Sequence, residues 1–308
     1  LDKSANPVVQ LAAGGWHTVA VLSDGSVSCW GFNGSGQCTV PSGVGTPANP
    51  VVQASAGDYH SVAVLLDGSV ACWGLNATGQ CTIPKVATTR TNPVVEVAGG
   101  KYHTVAVLSD GSVACWGANE SGQCTVPSGV GTPANPVVQV AAGDAHTVAV
   151  LSDGSVSCWG SNGNGQCTVP SGVGTSANPV VQVAAGNCHT VAVLSDGSVA
   201  CWGSNGGGQC TAPSGVGTTA NPVVQIAAGG LHTVAVLSDG SIASWGYNTD
   251  GQCTVPSGVG TPANPVRQVA GGDYFTVAVL ADGSVRCWGA DNFGQCSPPE
   301  GLRVRLPE

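Results

Sequence analysis

Residues 17–37 read His17-Thr-Val-Ala-Val-Leu-Ser-Asp-Gly-Ser-Val-Ser-Cys-Trp-Gly-Phe-Asn-Gly-Ser-Gly-Gln37. His17 to Leu22 alternates and is rich in β-branched residues, so it reads as a strand. Ser26 to Trp30 reads as a second, and Asp24–Gly25 between them is a hairpin turn, because this pair tolerates positive φ. Upstream, Val8 to Ala12 forms a strand that runs to Gly14. Downstream, Gln37 to Val40 forms a fourth. The unit then repeats: Trp30, Trp73, Trp116, Trp159, Trp202, Trp245 and Trp288 stand a constant 43 residues apart, with Asp-Gly at the same place in every copy. Pro/Gly-rich stretches such as Pro41 to Pro50 join successive copies, and no segment has the 3.6-residue period of a helix. A four-stranded unit of this size is a propeller blade, and closing seven in a ring protects their edges. An open solenoid would need distinct capping repeats, and the end copies here match the middle ones. The expected fold is all-β: one seven-bladed β-propeller over residues 1–308, four antiparallel strands per blade, with 43-residue repeats beginning near 6, 49, 92, 135, 178, 221 and 264.

Composition narrows the function. Charged residues are 8% of the 308, the net charge is −9, and only eight lysines and arginines are present, which argues against a phosphate-backbone partner. No apolar run is long enough to span a bilayer. The chain starts at Leu1 and contains no methionine, as expected of a sequence that follows a removed leader or is cut from a longer one.

The unit Ala13-Gly14-Gly15-Trp16-His17-Thr18, then Asp24-Gly25-Ser26-Val27, then Trp30-Gly31-Phe32-Asn33-Gly34-Ser35-Gly36-Gln37 resembles the repeat of the regulator of chromosome condensation family. The resemblance covers all seven copies and implies the propeller fold. Members usually continue Gly-Gln-Leu-Gly, whereas this chain continues Gly-Gln-Cys-Thr-Val-Pro. That variant is similar to the repeat style of β-lactamase inhibitory protein II, a secreted bacterial propeller, and implies an inhibitor-like binding role.

Cysteine is the clearest departure from the family. Cys29/Cys38, Cys72/Cys81, Cys115/Cys124, Cys158/Cys167, Cys201/Cys210 and Cys287/Cys296 share one spacing and flank the loop between third and fourth strands. Paired across antiparallel strands, they come within disulfide reach, each bridge contributing roughly 2–3 kcal/mol in the chain-entropy model. Disulfides imply an oxidising compartment, hence a secreted or surface-displayed protein. Two thiols per blade supply half of a tetrahedral zinc site, and reduced structural thiols are the other alternative. Cys253 faces Ser244 where a mate would stand, and Cys188 is an extra; spacing leaves open whether they pair. No metal site or cofactor is expected.

His17, His60, His103, His146, His189 and His232 hold one equivalent position, occupied by Phe275 in the seventh copy. Such repetition reads as structure, an imidazole hydrogen-bonded inside each blade. A catalytic centre gathers different groups at one spot, and no copy holds a unique nucleophile and base, so an enzyme is not expected. Asn33, Asn76 and Asn119 match the glycosylation pattern, but the asparagine recurs in nearly every copy, which favours a loop role.

Function is expected where copies differ. They differ in the loop between first and second strands and in the loop after the third, which share one end of every blade. Seven of the eight aromatics outside the scaffold tryptophans lie there: Trp16, Phe32, Tyr59, Tyr102, Tyr247, Tyr274 and Phe293. They belong to copies six, seven, one, two and three, a contiguous arc. The same loops carry Asp58, Glu120, Asp144, Asp250, Asp273 and Asp291 against Lys101 alone. Aromatics rimmed by polar groups make binding hot spots, and the acids call for a neutral or basic footprint. The resulting expectation is a secreted, non-enzymatic binding protein that engages a protein partner through this face. A glycan-binding propeller would repeat one site per blade, and a structural or adhesive repeat protein would leave the face incidental; both remain alternatives.

Overall fold

The computed structural model describes residues 6–299 and Leu302; the remaining residues of the expected 1–308 domain, including the first five, lie outside the described ones. Twenty-one strands form seven three-stranded antiparallel sheets. Blade one consists of an inner strand Val8–Ala13, a middle strand His17–Leu22 and an outer strand Val27–Gly31. Blade seven consists of Val266–Gly271, Phe275–Leu280 and Val285–Gly289.

The fourth strand expected at Gln37 to Val40 does not form. Its donors are already spent: Cys38 N–H bonds to Asn33 Oδ1 (2.8 Å), Thr39 N–H bonds to Gly36 O (2.9 Å), and Pro41 has none to offer. Instead, the turn locks onto the next blade, where Trp73 Nε1 and Ser61 Oγ donate to Gln37 O at 2.8 and 2.9 Å. The hairpin turn differs as well. Gly25 alone has positive φ (+78°), and Leu22 bonds both Gly25 and Ser26, so the loop has three residues with glycine in the left-handed position rather than two. A Cβ at Gly25 would sit 2.1 Å from Pro50 Cβ. No α-helix occurs among the described residues; one 3-10 turn, Lys85–Thr88, fills the linker that differs most from the others.

The core lies between blades. Along the middle strand, large and small side chains alternate, so Val19 and Val21 face Val51, Ala54 and Trp73 of blade two, while Ala20 makes room for blade seven. Trp30 and Ala20 pack on Phe275, Val277 and Val279, which closes the ring. Hydrogen bonds repeat the closure: Gln10 accepts from Ala54 N–H (2.8 Å) and donates to Ala54 O (3.0 Å), and Gln268 does the same with Leu11 at 2.9 and 3.2 Å. Amides that bridge blades in this way satisfy backbone groups the inner strands cannot pair with each other.

Candidate functional site

The two variable loops lie side by side. Phe32 N–H donates to Trp16 O (2.8 Å), Leu75 N–H to Tyr59 O (2.9 Å) and Ala290 N–H to Tyr274 O (2.8 Å), and each blade repeats the bond. Asn33 braces the second loop: Oδ1 holds Cys38 N–H and Nδ2 donates to Thr39 Oγ1 at 3.1 Å. Asn76 and Asn119 do the same, so the asparagines of the three glycosylation patterns are loop braces. Asp291 takes this role in blade seven, accepting from Cys296 N–H at 2.7 Å and Ser297 Oγ at 2.9 Å.

These loops gather the aromatics into two groups. Trp16 meets Tyr274 (5.2 Å between centroids) and, edge-on, Phe293 (5.5 Å); Phe32 meets Phe293 (5.0 Å) and Tyr247 meets Tyr274 (6.3 Å). Blades six, seven and one thus share one five-ring cluster. Tyr59 and Tyr102 of blades two and three stack at 5.6 Å and 12° as a separate pair. Phe293 is 49% exposed, and the others are half-buried against one another. Asp58, at the axis, lies between the two groups in chain order.

Around the axis the first loops turn inward. Lys101 Nζ reaches Asp144 Oδ2 at 3.3 Å and Asp58 Oδ2 at 3.9 Å. Asn187, with its amide oriented to donate, lies 3.3 Å from both Asp144 Oδ1 and Asp273 Oδ1. Burial pushes Asp273 up to about 6, aided by the charge of Asp144; burial and both neighbouring acids raise Asp58, and burial raises Asp144 against the pull of Lys101. Burial opposes the charge of Lys101, but Asp144 and Asp58 outweigh it and its pKa rises. Asn187 is the partner the loop charges alone do not reveal; its signal is that it shares a repeat position with Asp58, Lys101, Asp144 and Asp273. Glu120 and Asp250 stand exposed on the outer loops, apart from this cluster.

The histidines are structural, but their bonds run between blades rather than within one. His17 Nε2 is 2.9 Å from Ser61 Oγ, and the other five meet the threonine of the following blade at 2.8–3.1 Å. The hydroxyl of Ser61 already donates to Gln37 O, so its oxygen accepts from His17 Nε2–H, which places a proton on Nε2. Full burial holds His17, His60, His103 and His189 down at about 3, and His146 and His232 at about 4.

Cys72–Cys81, Cys158–Cys167 and Cys287–Cys296 are bonded, with Cα atoms 4.9–5.1 Å apart. Cys29 and Cys38 sulfurs lie 2.8 Å apart and those of Cys115 and Cys124 2.7 Å; Cys201 hydrogen-bonds Cys210. Each pair ties an outer strand to the turn after it rather than crossing two strands. Cys188 and Cys253 carry free thiols. Among the described residues, no group of three or more His, Cys, Asp or Glu could hold a metal ion, and no helix is long and apolar enough to cross a membrane.

The Regulator of chromosome condensation (RCC1) repeat matches residues 8–37, 51–80, 94–123, 137–166, 180–209, 223–252 and 266–295. The chain belongs to the RCC1-repeat family. Each match spans 30 residues, from the inner strand to the locking glutamine, so the remaining 13 of each 43-residue spacing are linker. Solved propellers of the same shape include the CRINKLY WD40 ectodomain of the Arabidopsis thaliana receptor kinase ACR4, with 23% identity, a TM-score of 0.71 and coverage of 96% of this chain and 100% of that one. Human WBSCR16 superposes with a TM-score of 0.72 at 20% identity over 89% of this chain and 86% of that one. Prp20p from Saccharomyces cerevisiae, studied with its binding to Gsp1p and histones, gives 0.71 at 23% identity over 88% and 82%. No curated protein sequence matches the chain. RCC1-repeat propellers are generally binding or regulatory proteins rather than enzymes.

Proposed function

We propose that this RCC1-repeat propeller is a non-enzymatic binding protein that works outside the cell and engages one asymmetric protein partner through the loop face that carries Trp16, Tyr274 and Phe293. The observation that carries this reading is the five-ring cluster built by blades six, seven and one from positions that hold small or polar residues in blades four and five. A scaffold with seven-fold repetition has no structural use for such a one-sided cluster. The acidic axis beside it favours a neutral or basic footprint. The paired cysteines fit an oxidising environment, and the ACR4 propeller, itself an ectodomain, offers a precedent for this architecture outside the cell. An inhibitor-like action is the form of binding the Gly-Gln-Cys-Thr-Val-Pro repeat style suggests. The test is affinity capture from the native extracellular fluid with wild-type protein and with the Trp16→Ala, Tyr59→Ala, Tyr274→Ala triple variant. A partner retained by the first and lost by the second supports the reading. Equal retention of every captured protein refutes it.

A further inference from the structure

The opposite face of the ring carries a second, differently organised surface. Inner strands begin there, next to the Asp-Gly turns, and in every blade the register slips by one residue between the first and third strand positions. The slipped residue faces solvent. It is Val9, Val52, Val95, Val138, Val181 and Val224, each 52–58% exposed, and Arg267 in blade seven. These six are the majority of the nine large hydrophobics exposed among the described residues, and Leu66, 67% exposed, adjoins them. Inner strands of adjacent blades are neighbours around the whole ring, so the valines form a collar at this mouth of the axial channel. Grooves open between the blades: Val181, Val224, Leu194, Pro222 and Asp196 line one, and Val52, Val95, Leu66, Pro93 and Asp67 line another.

The lip of each groove is a carboxylate. Asp24, Asp67, Asp110, Asp153, Asp196 and Asp239 each take hydrogen bonds from the serine two residues on, which hold their carboxyls below the usual range. They therefore stay charged at neutral pH. We propose that this face is a docking surface for a basic amphipathic segment of another polypeptide, which seats aliphatic side chains in the grooves between blades and sets lysines or arginines against the turn aspartates. Charge complementarity selects this occupant. A second copy of the chain would bring seven turn aspartates, offset by only Arg90, Arg267 and Arg286, against the same set, so both faces are net negative, and an anionic membrane surface would be repelled in the same way. Described aromatics lie on the other face or in the core, so no platform for stacking sugars faces these grooves. The two grooves have nearly the same lining, and the exposed valine and the Asp-Gly turn that frame them repeat in six blades, unlike the one-sided aromatic face, so the surface suits a segment that meets several blades in turn, with weak contacts summing.

The probe is a designed helical peptide of alternating leucine and lysine turns, with its leucine and glutamate counterpart as control, titrated by fluorescence anisotropy. Two variants of the full chain report: Val138→Ser, Val181→Ser, Val224→Ser, which removes apolar area at side chains already half exposed, and Asp153→Asn, Asp196→Asn, Asp239→Asn, which removes charge, keeps the serine bonds to Oδ1 and gives up the bond each Oδ2 accepts from Asn135, Asn178 or Asn221. The lysine peptide should bind saturably, weaken about tenfold or more on either variant, and bind the triple aromatic variant as it binds wild type. Far-UV circular dichroism establishes that both variants fold. Absence of saturable binding, equal affinity for both charge forms of the peptide, or equal binding to wild type and the valine variant would overturn the proposal. Because the aromatic face is untouched, these outcomes are independent of the capture experiment above.

Discussion

Replacing His189 with phenylalanine should make the protein less sensitive to acid. The six buried histidines are held neutral, with pKa values of about 3 to 4 against 6.5 in the unfolded chain. The sign follows from linkage. A folded-state pKa depressed below the unfolded value means that, as pH falls below 6.5, protons bind the unfolded chain and not the native one, so stability is lost until the folded pKa is reached. Between pH 7.5 and 5.0 each histidine costs about 2 kcal/mol, and six cost about 12 kcal/mol. Glu96 and Asp273, held up at about 7 and about 6, act in the opposite sense, since the native state binds their protons first; together they offset about 4 kcal/mol. The net loss, about 8 kcal/mol before the further offset from Asp58 and Asp144, rivals the whole stability of an ordinary domain.

Blade seven shows that the substitution is compatible with the fold. Phe275 is fully buried at the histidine position, and Thr18, which receives no imidazole, still donates to Gln295 O at 3.2 Å. In His189→Phe, Thr233 keeps its bond to Gln209 O (2.8 Å), and the loss is one hydrogen bond, about 1 kcal/mol. Urea unfolding of wild type and variant at both pH values measures the difference. The drop in unfolding free energy from pH 7.5 to 5.0 should shrink by about 2 kcal/mol, with the variant the more stable of the two at pH 5.0. An unchanged drop would refute the assignment of these histidines as the acid-labile element.

Gly154→Ala should destabilise the chain by about 1–3 kcal/mol in urea unfolding, since φ there is +79° and a Cβ would meet Pro179 Cβ at 2.1 Å. Ser244→Cys should give Cys253 the mate it lacks, observed as one titratable thiol fewer than wild type after denaturation in the absence of reductant, and should raise stability by roughly 2–3 kcal/mol. Glu96→Gln should restore the amide bridge that five other blades make with both backbone groups of the next and should remove one proton from the pH dependence near 7, measured by unfolding at pH 6 and 8.

The strand order, the ring and the family were legible because period-two patterning and the 43-residue spacing act through local sterics and blade-to-blade packing. The fourth strand was not. Gln-Cys-Thr-Val carries a strand's alternation, but the Asn33 side chain and the Gly36 carbonyl take the backbone donors a ladder would need. Alternation registers which side chains want burial and is silent on which hydrogen-bonding groups are already engaged. The destination of the histidine bonds was hidden for a related reason. His17 and Ser61 are 44 residues apart, one repeat plus one, so the partner's type looks like a within-blade neighbour until the blades are set side by side.

The aromatic face shows the limit of reading a ring as a list. Copies six, seven, one, two and three are consecutive, yet adjacency of blades does not make rings touch. Where the first loop presents Trp16 and Tyr274 and the second presents Phe32 and Phe293, side chains from both loops bridge blades and a cluster forms. The second loop of each blade meets the first loop of the next, and blade one carries Ser35 where blade seven carries Phe293, so no ring links Trp16 to Tyr59 and the pair Tyr59–Tyr102 stands alone. Charged side chains take the positions around the axis instead, with Lys101 pulled toward Asp144 and Asp58. These charges act on both Tyr59 and Tyr274, so a partner that spans both aromatic groups lies within their reach. Lys101→Ala, which leaves Asp58, Asp144 and Asp273 without their one cation, should strengthen binding of a basic footprint and raise the apparent pKa of the cluster, whereas an unchanged affinity would confine the partner to the five-ring cluster alone.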